Sequence, residues 1–313
     1  MICGEQLISI KNVLVPVGVC VLLCLACIAC SNDTSNIVQT GDSVMKESVT
    51  VSGSIFPVYD IARQMGGSKV DVHLILRPGE SAHFFNPSVS DKQNIQNSDS
   101  VFVIGHQLDD AVVNMVDDKS KIVRLDGNIE LIQHSNGNHN SSHKYDPHYW
   151  LDPRNAKIIA STIVNQYKSM DPDDAEYYET QLKIFFDSVD ELYTNLKDKL
   201  GAVNETPFVT LHDGWDYLAE AFDLNIVGSF EPTSAESPTP KYLEDLHNVV
   251  KDHGVNVIFS EPQLSTESLK SFALDNNLRI GTLDPLGGSN GIHTYQNLIR
   301  YNVETILAYL SEA

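Results

Sequence analysis

Beyond residue 30 this 313-residue chain contains no cysteine; all five lie at Cys3, Cys20, Cys24, Cys27 and Cys30. The body of the protein therefore has no disulfide and no thiolate, and any metal it holds must be met by nitrogen and oxygen. Basic residues are scarce as well, with 21 Lys and Arg against 42 Asp and Glu, a formal net charge of −21. Nucleic acid would be repelled by that balance and is excluded as a partner. Cations are tolerated, although a solvated acidic surface explains the charge without any function. The sequence also lacks the phosphate-binding loops G-x-x-x-x-G-K-[ST] and G-x-G-x-x-G, the H-E-x-x-H helix and the G-x-S-x-G elbow.

There is a single long apolar run, the 17 residues from Val13 to Ala29, with Lys11 before it and the polar stretch SNDTSN after it. A weakly basic start, an apolar middle and small residues before a cut are the layout of a secretory signal. Broken by Pro16 and Gly18, the run falls short of the ~20 residues a spanning helix needs, which disfavours an uncleaved anchor. Ile28-Ala29-Cys30 resembles a lipobox, so residues 1–29 are expected to be removed and Cys30 lipidated, with Cys27 the second candidate. Cys24, Cys27 and Cys30 share the spacing of an iron–sulfur run, but the residues between are apolar and no fourth cysteine follows. The mature chain is then extracytoplasmic, in a periplasm or on an outer cell surface, and held to the membrane by lipid.

Residues 30–48 are polar and patternless, a tether. From Val49 the chain alternates β-rich runs with helical patterns. Residues 49–53, 70–76, 100–105 and 121–125 read as strands, as do 207–211, 225–230, 255–260 and 279–283. Helical patterns near 59–65, 89–95, 215–222, 240–253, 267–276 and 294–311 fall between or after them. That order predicts an α/β protein with mostly parallel sheets flanked by helices. Between the halves, Tyr178, Leu182, Phe185, Phe186, Val189, Leu192, Tyr193, Leu196 and Leu200 recur at spacings of three and four, or sit adjacent on the same face. They predict one helix over 172–200, opened by Asp171-Pro172 and stopped by Gly201, about 43 Å long at ~1.5 Å per residue. The expected division is an N-terminal lobe at 49–171, a rigid linking helix at 172–200 and a C-terminal lobe at 201–313.

Three histidines and one aspartate stand out by their positions. His83 follows the second strand and its turn, His212 follows PFVTL, Asp284 follows RIGTL, and His148 precedes a helix start in DPHYWLDPRNA. Three of the four lie just past the carboxyl ends of predicted strands. They are far apart in the chain, so the fold must gather them.

The segments SIFPVYDIARQMGG, LILRPGESAHFFNPS, DPHYWLDPRNA, LHDGWDYLAEAFDLNIVGSF, VNVIFSEPQLSTESL and IGTLDPLGG, in this order, resemble the metal-binding substrate-binding lipoproteins of zinc and manganese ABC transporters. The resemblance covers roughly residues 49–311 and is most specific in DPHYWLDPRNA and LDPLG. It implies two α/β lobes joined by a long rigid helix, one metal between the lobes, and delivery of that metal to an ABC permease in the membrane. His83, His148, His212 and Asp284 map onto the four ligand positions. Two departures stand out: Ser81-Ala82-His83 where the family has Asp-Pro-His, and Asp213-Gly214-Trp215-Asp216-Tyr217 where an Ala-Phe-Gly-Tyr-type run is usual.

Three imidazoles and one carboxylate suit a four-coordinate Zn2+. Mn2+ prefers more oxygen, and the family's manganese binders carry Glu where His212 stands, so zinc is the expected cargo and manganese or iron the alternative. The rival classes are a zinc hydrolase, for which Glu261 is the one nearby candidate base, and an adhesin on the same scaffold. Four ligands from four segments would close the metal sphere, which favours a monomeric carrier over an enzyme. His134, His139, His143 and His148 place four of eleven histidines within residues 134–148, either a metal-collecting arm or a tolerated polar loop. His106 could line the cleft. His73, His247 and His253 read as structural or surface residues, and Trp150 and Trp215 as packing residues.

Overall fold

A computed structural model describes residues 48–133, 144–230, 239–264 and 266–312. The apolar run at 13–29, Cys27, Cys30 and the histidines at 134, 139 and 143 lie outside the described residues. No helix among the described residues is long and apolar enough to cross a membrane.

The first half runs β1 (Val49–Gly53), α1 (Phe56–Gly66), β2 (Val70–Leu74), α2 (Val89–Asn97), β3 (Ser100–Val103), α3 (Asp110–Met115) and β4 (Ile122–Arg124). Two helices follow, α4 (Pro153–Met170) and α5 (Ala175–Leu200). The second half runs β5 (Phe208–Thr210), α6 (Asp216–Phe222), β6 (Ile226–Ser229), α7 (Pro240–His253), β7 (Val257–Ser260), α8 (Glu267–Asp275), β8 (Arg279–Thr282) and α9 (Tyr295–Ser311). All strand pairs are parallel. The sheet orders β2-β1-β3-β4 and β6-β5-β7-β8 show the second half repeating the first.

Side-chain alternation sorts each strand between two cores. Phe102 and Ile104 face a central core, while Val101 and Val103 face an outer one with Ile95 and Val112. In the second sheet Phe208, Val257 and Phe259 face the same central core, and Val209 and Ile258 face a third with Leu246 and Phe272. The central core takes residues from both sheets together with Tyr178, Phe185, Val189, Leu192 and Leu196 of α5. The long helix is thus packed along its length against α1, α4 and α9.

The helix expected over 172–200 begins with a separate 3-10 turn, Pro172–Asp174, and becomes α-helical at Ala175. Its neighbour α4, like the short α3, is an element the apolar spacing left unnamed. Its start is legible, because Asp152 accepts from Arg154 N–H and Pro153 takes the first helical position. The 18-residue helix then buries Ile159, Ile163, Val164 and Tyr167. α9 crosses back to the first half, where Tyr295 N–H donates to the buried Asp60 Oδ2 at 2.7 Å and Tyr295 Oη donates to Trp150 C=O at 2.9 Å.

Candidate metal centre

The carboxyl ends of both sheets supply the walls of one cavity. After β2 come Ser81, Ala82 and His83; after β3, Leu108; after β4, His148 and Trp150. From the second sheet come His212 after β5, Glu261, Gln263 and Leu264 after β7, and Pro285 and Leu286 after β8. β5 and β7 are the neighbours between which the order of the second sheet reverses, the point where open α/β sheets leave a crevice.

His83 sits in a 3-10 turn, Ala82–Phe84, and is exposed. Its loop is braced by Arg77, which bonds Glu80 and, at 3.1 Å, Asp91. Asp91 also completes a capping box with Ser88 at the start of α2. His148 is buried, at 4 % exposure. Its backbone N–H donates to Asp146 Oδ1 at 2.9 Å and its Nδ1 lies 2.7 Å from the same oxygen. With Nδ1 turned to that carboxylate, Nε2 is the nitrogen that would meet a metal. His212, 8 % exposed, is held the same way, with Nδ1 3.3 Å from Glu261 Oε1. Glu261 Oε1 in turn accepts from Trp215 Nε1–H at 2.8 Å. Two of the three imidazoles therefore have a carboxylate behind them, an arrangement that fixes ring orientation and raises ligand basicity.

The structure brings His83, His148 and His212 together. Their ligand nitrogens all lie within 4.8 Å of one another, a grouping of three found once among the described residues. Ring centroids are 5.5 Å apart for His83–His148, 5.3 Å for His83–His212 and 4.7 Å for His148–His212. Tetrahedral zinc with bonds of ~2.0–2.1 Å spaces its ligand atoms by about 3.4 Å, so small side-chain shifts would bring these nitrogens onto an ion. Asp284 is not in the grouping and does not line the cavity. It is buried, and its Oδ1 accepts from Gln263 Nε2 at 2.9 Å and from the N–H groups of Leu286 and Gly287 at 3.0 Å. Asp213 Oδ1 lies 3.7 Å from His212 Nε2.

The rings also need room. A Cβ on Gly214 would lie 2.6 Å from His212 Cε1 and 2.8 Å from both Cε1 and Nδ1 of His148. The departure from the usual run after His212 thus places a glycine where two imidazoles pack on the backbone. Asp146 and Gly214 lie inside the motifs DPH and HDGW, but nothing in their spacing announces a role. Trp150 and Trp215 are buried, and each also donates from its indole, to Pro285 C=O and to Glu261. His106 lies 2.8 Å from Asp126 and beside the Tyr145 ring; Leu108, two residues on, is the one that lines the cavity. His73 lies 3.9 Å from Asp71 on β2, and His247 contacts Asn276.

A family model described as the periplasmic zinc-uptake complex component A, ZnuA, matches residues 51–309. The chain is 32% identical over 171 residues to the high-affinity zinc uptake system protein ZnuA of Brucella suis, covering 54% of this chain and 51% of that one. It is 24% identical over 298 residues to the zinc-binding protein AdcA of Streptococcus pyogenes, covering 86% of this chain and 58% of that one. The chain thus spans little more than half the length of these curated relatives. A crystal structure of ZnuA shares the fold with a TM-score of 0.74 at 20% identity, covering 84% of this chain and all of that one. An Mn-bound periplasmic metal binding protein from Candidatus Liberibacter asiaticus does so with 0.75 at 24% identity, with the same coverage.

Proposed function

The chain belongs to the family of the periplasmic zinc-uptake complex component A, and on that premise we propose that it is an extracytoplasmic carrier. In this reading it captures one zinc ion with His83, His148 and His212 and hands it to an ABC-type importer. The observation that carries the reading is the convergence of three histidines, from three separate loops, to within 4.8 Å. Nitrogen-rich ligation favours zinc over manganese. The carboxylates of Asp146 and Glu261 behind two of the rings offset the charge of a divalent ion where bare imidazoles would not. The exposed His83 is the natural point of entry and release, and the two buried histidines are the fixed part of the site.

A solute-binding family supports a carrier over an enzyme, and Glu261 is engaged by Trp215 and His212 rather than poised as a base. The acidic, cysteine-free body suits an exterior compartment. Lipidation at Cys30, or at Cys27, would keep a monomer on the membrane beside its permease; two acyl chains anchor stably where one is marginal. Mass spectrometry of the mature N-terminus tests this, and an unmodified residue other than Cys27 or Cys30 at that position excludes it.

The central test is elemental analysis of purified mature protein together with competition titrations. One zinc per chain is expected. His212→Ala should weaken zinc binding by roughly 100-fold or more with the fold intact, and His212→Glu should shift preference toward manganese. Unchanged zinc affinity in His212→Ala would remove His212 from the site, and hydrolytic turnover that tracks zinc loading would turn the reading toward an enzyme.

A further inference from the structure

The described bonds of Asp284 hold its own turn and reach two neighbouring segments. Its backbone is clamped by the buried Asn302 of α9, whose Oδ1 accepts from Asp284 N–H at 2.8 Å and whose Nδ2 donates to Asp284 C=O at 2.7 Å. Its Oδ1 gathers the Leu286 and Gly287 N–H groups and the Gln263 amide. Gln263 is placed differently. It lines the cavity beside the three histidines, and its Oε1 is buried with no hydrogen-bond partner. A buried amide oxygen left unpaired is costly and calls for a ligand or a water. The amide cannot be turned round to relieve it, because Oε1 would then face the carboxylate oxygen of Asp284.

We propose that Gln263 is a residue of the metal site. Its Oε1 accepts a hydrogen bond from the water that fills the fourth position on an ion held by the three histidines, while Asp284 is a positioning residue that orients the amide. This rests on the functional reading above and deepens it. An amide oxygen accepts a hydrogen bond but does not take up a proton at neutral pH. A water held by Gln263 is therefore oriented by an acceptor that takes no proton from it. A carboxylate at the same place would serve as a base.

Two variants separate the oxygen from the rest of the side chain. Gln263→Met keeps the volume and removes Oε1. Gln263→Glu keeps an oxygen toward the ion and removes the donor to Asp284. Zinc affinity is read by competition titration and ligand geometry by the visible spectrum of the Co2+-loaded protein. Gln263→Met should weaken zinc about tenfold or more and shift the Co2+ bands, and Gln263→Glu should recover most of the affinity. Equal losses in both variants would mean that only the bond to Asp284 matters, and would overturn the proposal. So would an unchanged Gln263→Met, or band shifts confined to Asp284→Asn or Asp213→Asn. A wild-type chain that binds no zinc would instead overturn the functional reading itself.

Discussion

The indole N–H of Trp150 donates to the backbone carbonyl of Pro285 at 2.8 Å, tying the loop that carries His148 to the turn that follows β8. Both groups are buried. The Trp150 ring packs 5.2 Å from His148, centroid to centroid. Tyr295 Oη reaches the Trp150 carbonyl from α9. One residue thus links the walls that the two sheets contribute, and the separation of His148 from the second-sheet loops depends on it.

Trp150→Phe should therefore act on stability and on the site together. The Pro285 carbonyl is left buried without its donor, a cost of about 1–3 kcal/mol, and the smaller ring leaves space beside His148. Denaturant unfolding of the metal-free protein should show the first effect and zinc titration the second, as weaker binding. Lost stability with unchanged zinc affinity would confine Trp150 to packing.

The loop after β3 offers a pH test. Asp109 accepts from the N–H groups of Ile104 and Gly105 at 2.6 and 2.9 Å, and so shapes the turn that presents Leu108 to the cavity. Burial nevertheless raises its carboxyl above the ordinary 3.8, outweighing the backbone hydrogen bonds. A carboxyl raised in the folded state holds its proton more tightly there than in the unfolded chain. Its stabilising contribution is complete below 3.8 and is lost as pH rises through the raised value. Asp109→Asn carries no such titration. Relative to that variant, wild-type protein should lose stability as pH rises from about 4, read by denaturant unfolding at several pH values without metal. A flat difference would contradict the burial argument.

The carboxylate behind His148 predicts a graded effect. Asp146→Asn keeps an oxygen for the two N–H groups of His148 but removes the charge that supports its ring. Zinc affinity should fall roughly 10–100-fold, the usual range for such outer partners, with the unfolding midpoint of the metal-free protein little changed. No change in affinity would show that Asp146 only shapes the loop.

The eight strands among the described residues were legible from short β-branched runs: β3, β5 and β7 are buried throughout and read as apolar runs, while the half-exposed β2 kept enough Val and Leu around Asp71 and His73 to be recognised. His83, His148 and His212 were legible as candidates because His212 follows a strand end, His83 follows a strand and its turn, and His148 precedes a helix start. α4 was not, since its apolar residues follow DPHYWLDPRNA without a break and only its cap announces it. Asp284 illustrates a limit of a different kind. Its position past β8 marks it as a ligand candidate, but only coordinates reveal that its Oδ1 gathers Leu286, Gly287 and Gln263 and that Asn302 holds its backbone. Asp146 and Gly214 were hidden for the same reason, because their roles arise from contacts with rings brought in from elsewhere.

Gly214 gives the sharpest test of the site as a packed object. Its backbone lies against His148 from one loop and His212 from another, and an added methyl would stand 2.6–2.8 Å from atoms of both rings. Separations under about 3 Å are repulsive for carbon, and neither ring can yield cheaply. His148 is tied to Asp146, and His212 to a Glu261 that is itself bonded by Trp215. Gly214→Ala should therefore push the imidazoles apart and weaken zinc binding at least tenfold, although alanine is chemically inert toward the metal. The cost to the metal-free protein should be modest, about 1–3 kcal/mol for overpacking, so binding can still be measured. Adding Asp146→Asn to Gly214→Ala loosens one of the clamped rings, and the two losses in affinity should then sum to less than their separate values. Full additivity would mean that the glycine acts on the backbone alone and that the rings are free to move.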